Sequence, residues 1–508
     1  MPSSTFPLRM GSAETFATVR NFLRESGYTD QFLRSHFRLL GLHPLLYSVG
    51  PQGEHLRKFY EAPGVGPFLA RLFVEGQPMS EKKLQAQLPD GVLKALKELR
   101  LLEQCREGWQ CPVLLMPPFG LFVASDRGAR PMENVYQESD YVMSGVETVC
   151  WDYAERIPMT PCGNFLDMGT GAGIAAMLGA RCAQQSYGID ITERATRFAD
   201  FNRALNGIEN LKFLQGDMFA PVAGMQFDRI TANLPFEPPL KKNLIFSVGG
   251  EDGEAILKRF VAEVPPFLAP GGRVYALVLG TDRESGEFEE RIREWLGDAA
   301  QECDVALLVS QSLKPVEYAT QQILGEGEGI WKMHEWNDFY RKLRAGRVVL
   351  GHLLLQKRKT ERPVFFTRRQ FGPQTGLPEM EWLMAFETFS REPGFADTLL
   401  QAVAEPGNEW HLEVKHALKD GALKAQSYTF VKKHPFAVEM EAPTWMGMLA
   451  SSCDGKRTYG ELCDMFVAKG LAREEFVTGT TAMISADVLR LTGHYPPEPR
   501  PMVTEIPG

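Results

Sequence analysis

The sequence predicts an α/β protein: a doubly wound, Rossmann-like parallel sheet in the middle of the chain, flanked by mainly helical, winged-helix-like domains at both ends. Three observations carry this. From about residue 130 to about residue 360, short apolar runs alternate with stretches of helical period, the pattern of strands joined by helical crossovers. Asn164-Phe-Leu-Asp-Met-Gly-Thr-Gly-Ala-Gly-Ile174 reads as a strand that ends in a glycine-rich turn and opens onto a helix. On either side, helical periodicity dominates. A chain of 508 residues should hold two to four domains, and the expected boundaries are 1–128, 129–362 and 363–508.

In chain order, Ser12 is placed to cap a helix with Phe16, Val19, Phe22 and Leu23 on one face. Ser80 can cap another, and Val92, Leu93, Leu96, Leu99 and Leu102 follow at helical spacing. Trp109–Met116 and Gly120–Ala124 then read as two strands separated by Pro117-Pro118. Helices followed by a hairpin is the winged-helix order. The Val92–Leu102 helix carries no strong basic face, so protein contact or dimerisation is expected of this region rather than DNA binding.

The central strands are Phe165–Met168, Ser186–Ile191, Leu211–Gln215, Phe227–Ala232 and Arg273–Leu279, separated by helical stretches such as Glu193–Asn206 and Gly253–Phe267. Two later apolar runs, Val348–Leu350 and His352–Gln356, can supply an antiparallel edge strand. Lys357-Arg-Lys-Thr-Glu-Arg362 and Arg368-Arg369 follow directly. They read as a solvated strand end and linker, with a phosphate-binding patch as the alternative. Near the C-terminus, an apolar helix from Trp445, the turn Asp454-Gly455, then Arg457-Thr458 and a second apolar helix form a helix–turn–helix pattern. It is similar to small peptide-chaperone domains that present precursor peptides to modifying enzymes, which implies substrate recruitment; packing or dimerisation is the alternative. The residues from Tyr495 onward are proline-rich and expected to be loose.

Composition narrows the class. A net charge of −9 and a pI near 5.7 argue against a surface built as a whole to grip nucleic acid. Eight cysteines with no CxxC pair argue against a zinc ribbon and fit reduced thiols. No stretch approaches the ~20 apolar residues of a membrane span, and the N-terminal residues lack the apolar core of a signal peptide. A cytoplasmic location with no metal is expected.

Four motifs at successive strand ends carry the chemistry. The loop Gly169-Thr170-Gly171-Ala172-Gly173 lets backbone approach a ligand closely, and Asp167 stands at the strand end before it. Asp190 follows the second strand, about 20 residues after the loop. Asp217 follows the third. Asn233-Leu234-Pro235-Phe236 closes the fourth. Gly171, Gly173 and Ala176 also satisfy the dinucleotide fingerprint, and Asp190 would hold ribose hydroxyls in either case, so the loop alone leaves NAD open. Asp217 and the Asn233 turn favour methyl transfer. A planar nitrogen is a poor nucleophile because its lone pair is delocalised. Two acceptors aimed at its two N–H groups hold it and favour pyramidalisation. The Asn233 side-chain oxygen and the Leu234 backbone carbonyl can be that pair. Pro235 fixes the turn without an N–H, and Phe236 can stack on a flat group.

This ordered set resembles the class I S-adenosylmethionine (SAM) methyltransferases that act on planar nitrogens, over about residues 135–360. The glycine loop and Gly249-Gly-Glu-Asp-Gly-Glu-Ala-Ile-Leu257 resemble the protein glutamine N5-methyltransferases. The Asn-Leu-Pro-Phe turn departs from their Asn-Pro-Pro-Tyr and looks equally like the turn of rRNA adenine dimethyltransferases. The resemblance implies a seven-stranded core with SAM as cofactor. It implies SAM contacts from Asp167, Gly169, Thr170, Gly171, Gly173, Asp190, Ile191, Asp217, Met218 and Asn233, and catalysis by Asn233, Leu234, Pro235 and Phe236. Glu237, Tyr141, Ser144 and Glu147 are candidate rim residues. The expected activity is N-methylation of an Asn or Gln side-chain amide in a protein or peptide. The alternatives are adenine N6-methylation of RNA or DNA, and a small-molecule methyltransferase of natural-product biosynthesis. A protein or peptide substrate is the expected partner, with nucleic acid and a homodimer left open and no membrane partner.

Overall fold

The computed structural model describes residues 6–47, 57–127, 139–240, 245, 247–325 and 329–495. The loose tail expected after Tyr495, and the expected boundary at 128/129, lie outside the described residues. Those described fall into two compact units that divide between Leu277 and Val278.

The first unit opens with α1 (Ala13–Glu25), where the Ser12 hydroxyl accepts the Thr15 N–H at 3.1 Å and Phe16, Val19 and Leu23 are buried. Helix α2 (Glu81–Gln87) is capped by Ser80 in the same way, and α3 (Asp90–Glu98) buries Val92, Leu93 and Leu96. The stretch Trp109–Met116 is not one strand. It divides into β2 (Gly108–Gln110), paired with β1 (Glu103–Cys105), and β3 (Leu114–Met116), paired with β4 (Val123–Ser125). Pro112 sits at the break, where it cannot donate to a ladder. Strand β1 escaped the sequence reading because Glu-Gln-Cys has no apolar alternation.

The heart of this unit is a parallel sheet. Its strands are β5 (Cys162–Met168), β6 (Ala183–Asp190), β7 (Leu211–Gln215), β8 (Phe227–Ala232) and the part of β9 (Leu268–Arg283) up to Leu277, in the order β9-β8-β5-β6-β7. Phe165, Leu166, Met168, Ile230 and Ala232 are all buried, as expected of strands covered on both faces. The accompanying helices are α4 (Thr148–Glu155), α5 (Ile174–Gly179), α6 (Glu193–Asn206) and α7 (Ala255–Glu263). Two buried asparagines on α6 complete the backbone bonding of the β4 segment. Asn202 Oδ1 accepts the Ala124 N–H at 2.8 Å, and Asn206 Oδ1 accepts the Phe122 N–H at 2.9 Å. The chain winds from β5 through β6 to β7, then returns to place β8 on the other side of β5. The crevice at the carboxyl ends of β5 and β8 is thus the topological switch point, where doubly wound sheets bind ligands.

In the second unit, β10 (Cys303–Leu313) pairs antiparallel with β11 (Ala345–Lys357) and parallel with β12 (Phe366–Gln370). Both late apolar runs belong to β11, which runs antiparallel to β10 as expected but is not an edge strand; that place is taken by β12. Among the described residues, five strands form the parallel sheet of the first unit, and β10, β11 and β12 pair in the second. Helix α8 (Leu377–Phe389) leads to β13 (Glu405–Pro406), which pairs with β17 (Leu489–Arg490). Between these lie a meander of β14 (Trp410–Lys419), β15 (Ala422–Lys432) and β16 (Val438–Ala442), then α9 (Thr444–Ser452), α10 (Tyr459–Val467) and α11 (Arg473–Ser485). Thr458 and Glu461 cap α10 reciprocally. The sequence reading passed over the meander, although Trp410, Leu412 and Val414 alternate with polar residues along β14; most of β14 and the 422–426 half of β15 are exposed, so little buried apolar surface marks them.

Three arginines of the basic run after β11 are paired with acids inside this unit. The Arg362 guanidinium bonds both oxygens of Asp304 and is buried. Arg368 bonds Asp282 and Glu289, each at 2.9 Å. Arg369 lies 3.7 Å from Glu387 and donates to Ser485. These arginines hold strands and helices together, and the phosphate-patch alternative loses them as donors.

Candidate active site

All the sequence-predicted cofactor and catalytic residues lie in the first unit. Strand β5 ends at Met168, and the chain then passes through Gly169, Gly171 and Gly173, each with positive φ, before α5 begins. A Cβ on Gly171 would meet nothing within 4 Å, so the loop presents open space there. On Gly173 it would press to 2.7 Å from the Phe213 ring, so this glycine is required by packing. The loop is tied back by the Gly169 and Thr170 N–H groups, both donating to the Ile189 carbonyl at 2.9 Å.

Asp167 is buried at 3 % exposure. Its oxygens accept from Thr170 Oγ1 at 2.7 Å and Thr231 Oγ1 at 2.9 Å. Burial raises its carboxyl to about 7, against the lowering effect of these two hydroxyls. Thr231 faces Asp167 directly in the β5–β8 register. Thr170 therefore supports Asp167 with its side chain.

Asp190 stitches the loop to β6. Its Oδ2 accepts the Gly171 N–H at 3.0 Å, while its Oδ1 accepts from the Thr192 backbone and hydroxyl. Burial raises this carboxyl too. Ile191 beside it is 56 % exposed, an apolar surface next to the carboxylate. Asp217 accepts two bonds from one nitrogen of Arg259 on α7, at 2.9 and 2.8 Å, and both side chains are about half exposed. Met218 follows with φ +47°, so the backbone turns sharply away from β7.

Asn233 and Leu234 meet the glycine loop. A Cβ on Gly169 would sit 3.2 Å from Leu234 Cδ2 and 3.7 Å from the Asn233 carbonyl oxygen. The Asn233 Nδ2 donates to Cys150 Sγ on α4 at 3.5 Å. Among the described residues, neither the Asn233 Oδ1 nor the Leu234 carbonyl accepts a hydrogen bond. Pro235 and Phe236 are partly exposed. The segment Gly249–Gly253 lies behind this turn: a Cβ on Gly249 would fall 2.8 Å from the Phe236 Cα.

The four rim candidates divide. Glu237 is bound to the 247–249 segment through backbone bonds with Ser247 and Gly249 and through the Ser247 hydroxyl. Ser144 is buried and donates to Glu147 Oε1 at 3.0 Å, so it is not at a rim. Glu147 precedes α4, and its Oε2 is buried without a hydrogen-bond partner among the described residues. The Tyr141 hydroxyl donates to the Asp126 carbonyl at 3.4 Å. Thr231, Cys150 and Arg259 are site residues that sequence reasoning missed. Thr231 carried a signal, since it lies two residues before Asn233 and so points to the same side of β8.

Among the described residues, no group of three or more His, Cys, Asp or Glu side chains is arranged to hold a metal ion. No helix among them is long and apolar enough to cross a membrane.

Comparison with known proteins fits this geometry. The methyltransferase domain family matches residues 161–310. The release factor glutamine methyltransferase of Thermodesulfovibrio yellowstonii is 36% identical over 123 residues, covering 22% of this chain and 44% of that protein. The ribosomal protein uL3 glutamine methyltransferase of Bordetella pertussis is 30% identical over 166 residues, covering 29% and 53%. The ribosomal RNA small subunit methyltransferase C of Alcanivorax borkumensis is 31% identical over 144 residues, covering 28% and 38%. The chain thus spans about half or less of the length of each of these relatives. The glycine loop with open space at Gly171, the carboxylates at successive strand ends and the match over 161–310 together identify a class I, Rossmann-like methyltransferase domain, whose methyl donor is SAM.

Proposed function

We propose that the chain is a SAM-dependent N-methyltransferase acting on a planar nitrogen, a Gln or Asn side-chain amide of a protein or peptide. The observation that carries this is that Asn233 and Leu234 lie against Gly169 while, among the described residues, neither the Asn233 Oδ1 nor the Leu234 carbonyl accepts a hydrogen bond. The names of two relatives, glutamine methyltransferases of a release factor and of a ribosomal protein, support the choice of amide.

SAM supplies an electrophilic methyl group on sulfur. The Gly169–Gly173 loop leaves room for its amino-acid end, where Asp167 faces the ammonium directly or through water. Asp190 and the exposed Ile191 would hold the ribose and adenine. Asp217 would receive the adenine amino group in competition with Arg259, and an exposed ion pair of this kind is worth only about 0–1 kcal/mol, so it would yield easily. Asn233 Oδ1 and the Leu234 carbonyl take the two N–H groups of the acceptor amide, and Phe236 stacks on its plane. Their hydrogen bonds tighten as the nitrogen becomes pyramidal and positive, so the interaction is stronger in the transition state than in the ground state. Positioning and electrostatics then suffice without a strong base.

Adenine methylation stands as the second reading because a relative at 31% identity is named as an rRNA methyltransferase. Its phosphate contacts would have to come from elsewhere than Arg362, Arg368 and Arg369, which are already paired. Labelled SAM incubated with cell extract fractionated into protein, nucleic acid and metabolites tests the proposal. Label in a protein fraction, base-stable and on glutamine or asparagine, is expected. Label in RNA, with affinity falling steeply in salt, would replace it by the second reading.

Asp167 sets the pH dependence of cofactor binding. The ligand's ammonium favours the ionised carboxylate, which predominates only above about pH 7. The affinity for S-adenosylhomocysteine should therefore strengthen about five- to tenfold from pH 6 to pH 7.5, and Asp167→Asn should flatten this dependence. Calorimetry across that range checks it. For stability the sign is opposite. The folded state holds the Asp167 proton more tightly than the unfolded chain does, so this group's contribution declines as pH rises from about 4 toward 7.

A further inference from the structure

An asparagine that must present its oxygen faces a choice. Rotation about its last torsion exchanges Oδ1 and Nδ2, two groups of nearly equal size, and in water neither orientation is strongly preferred. Something must hold the nitrogen if the oxygen is to be aimed. In this chain the group in contact with the nitrogen is the sulfur of Cys150, 3.5 Å from Asn233 Nδ2.

Helix α4 makes Cys150 a rigid platform. On one side, Trp151 stacks on Phe119 with ring centroids 4.0 Å apart, and its Nε1 donates to Glu155 at 2.8 Å. On the other, Tyr153 and Ala154, three and four residues on from Cys150, are buried. At the start of the helix, Glu147 is held by Ser144. The thiol is therefore presented by an element fixed before and after it.

We infer that Cys150 is a positioning residue for the transfer step: its sulfur accepts from Asn233 Nδ2 and so turns Oδ1 toward the methyl acceptor. This rests on the reading that Asn233 holds the acceptor nitrogen. The state of the thiol suits the task. Burial, reinforced by the negative charge of Glu147, pushes it up to about 12, so the sulfur carries its proton at neutral pH. A thiolate beside an electrophilic methyl would compete for it as a nucleophile; a protonated thiol does not. A cysteine here thus provides a sulfur acceptor for the amide nitrogen without a charge that would divert the reaction.

The test reads the Asn233 amide itself and the turnover separately. In protein labelled with ¹⁵N at asparagine side chains, the Asn233 resonance pair is assigned by its loss in Asn233→Asp. In the wild type with bound S-adenosylhomocysteine, the two amide protons should be well separated in shift. In Cys150→Ala they should draw together and exchange faster with solvent, whereas Cys150→Ser, which keeps an acceptor, should retain much of the separation. With labelled SAM and the extract fraction that accepts label, Cys150→Ala should lower kcat roughly three- to tenfold, the worth of one neutral hydrogen bond. Its KM for SAM and its affinity for S-adenosylhomocysteine should not change, and Cys150→Ser should restore much of kcat. An Asn233 amide pair unmoved in Cys150→Ala, or equal losses of kcat and of S-adenosylhomocysteine affinity in both variants, would overturn the inference. If instead Asn233→Ala keeps wild-type turnover, the reading beneath it fails.

Discussion

Asn233→Ala is expected to reduce turnover by about 10²–10³-fold while leaving the affinity for S-adenosylhomocysteine within about twofold of wild type, by analogy with the removal of one transition-state hydrogen-bond partner. The two halves of the expectation have separate grounds. The loss in rate follows because Asn233 supplies one of the two acceptors proposed to hold the substrate nitrogen, and the other, the Leu234 backbone carbonyl, cannot hold a rotating amide alone. The intact affinity follows because, among the described residues, the Asn233 side chain makes one hydrogen bond, to Cys150, so its deletion disturbs little. The glycine loop, Asp167 and Asp190 are held by bonds of their own that do not pass through Asn233. Equilibrium binding and single-turnover rates measured on the same preparation separate the effects. A variant with wild-type turnover would remove Asn233 from the chemistry. One that loses binding and rate together would make it a cofactor ligand or a structural residue instead.

What could be read from the sequence was what short segments encode. The strand-turn-helix at Asn164–Ile174 is local: buried strand, glycines, helix. So are the Ser12 and Ser80 caps, which need only three residues. The Asn233 turn was legible for the same reason, and its proximity to the loop followed from the order of the strands. What stayed hidden needed pairing across distance. Thr231 reaches Asp167 only because β8 lies in register with β5, 64 residues away in sequence. Cys150 precedes Asn233 by 83 residues, and nothing in its neighbours marks it. Asn202 and Asn206 look like solvent-facing helix residues until β4 is placed against them. The basic run after β11 reads as exposed charge because the acids that pair with its arginines, Asp282, Glu289, Asp304 and Glu387, come from other elements. The same connections bear on the expectation that the C-terminal region only recruits substrate. Arg369 on β12 is held by Glu387 and Ser485, and the Gln370 carbonyl accepts the Ala437 N–H at 2.7 Å. Cutting the chain at residue 370 would strip partners from β12, so a truncation there tests folding before it tests recruitment.

The Arg362–Asp304 pair gives the largest stability effect expected in the second unit. Its side chains are 1% and 0% exposed, the guanidinium bonds both carboxylate oxygens, and the Phe365 N–H adds a third bond to Asp304 at 3.1 Å. Asp304 stands on β10, which lies between β11 and β12, and Arg362 comes from the segment that returns the chain to β12. Removing the arginine alone leaves a carboxylate buried without its counter-charge. Arg362→Ala should therefore destabilise the unit by about 3–5 kcal/mol, and calorimetry should find its unfolding transition lowered by roughly 6–20 °C. The pair itself contributes much less than this, because bringing two charges out of water offsets most of their attraction. The double variant Arg362→Met with Asp304→Leu, which removes both charges and keeps apolar volume, should recover most of the loss. A recovery would assign the damage in the single variant to the stranded charge. If the double variant is as unstable as Arg362→Ala, packing of the arginine stem, and not the ion pair, is what holds β12 in place.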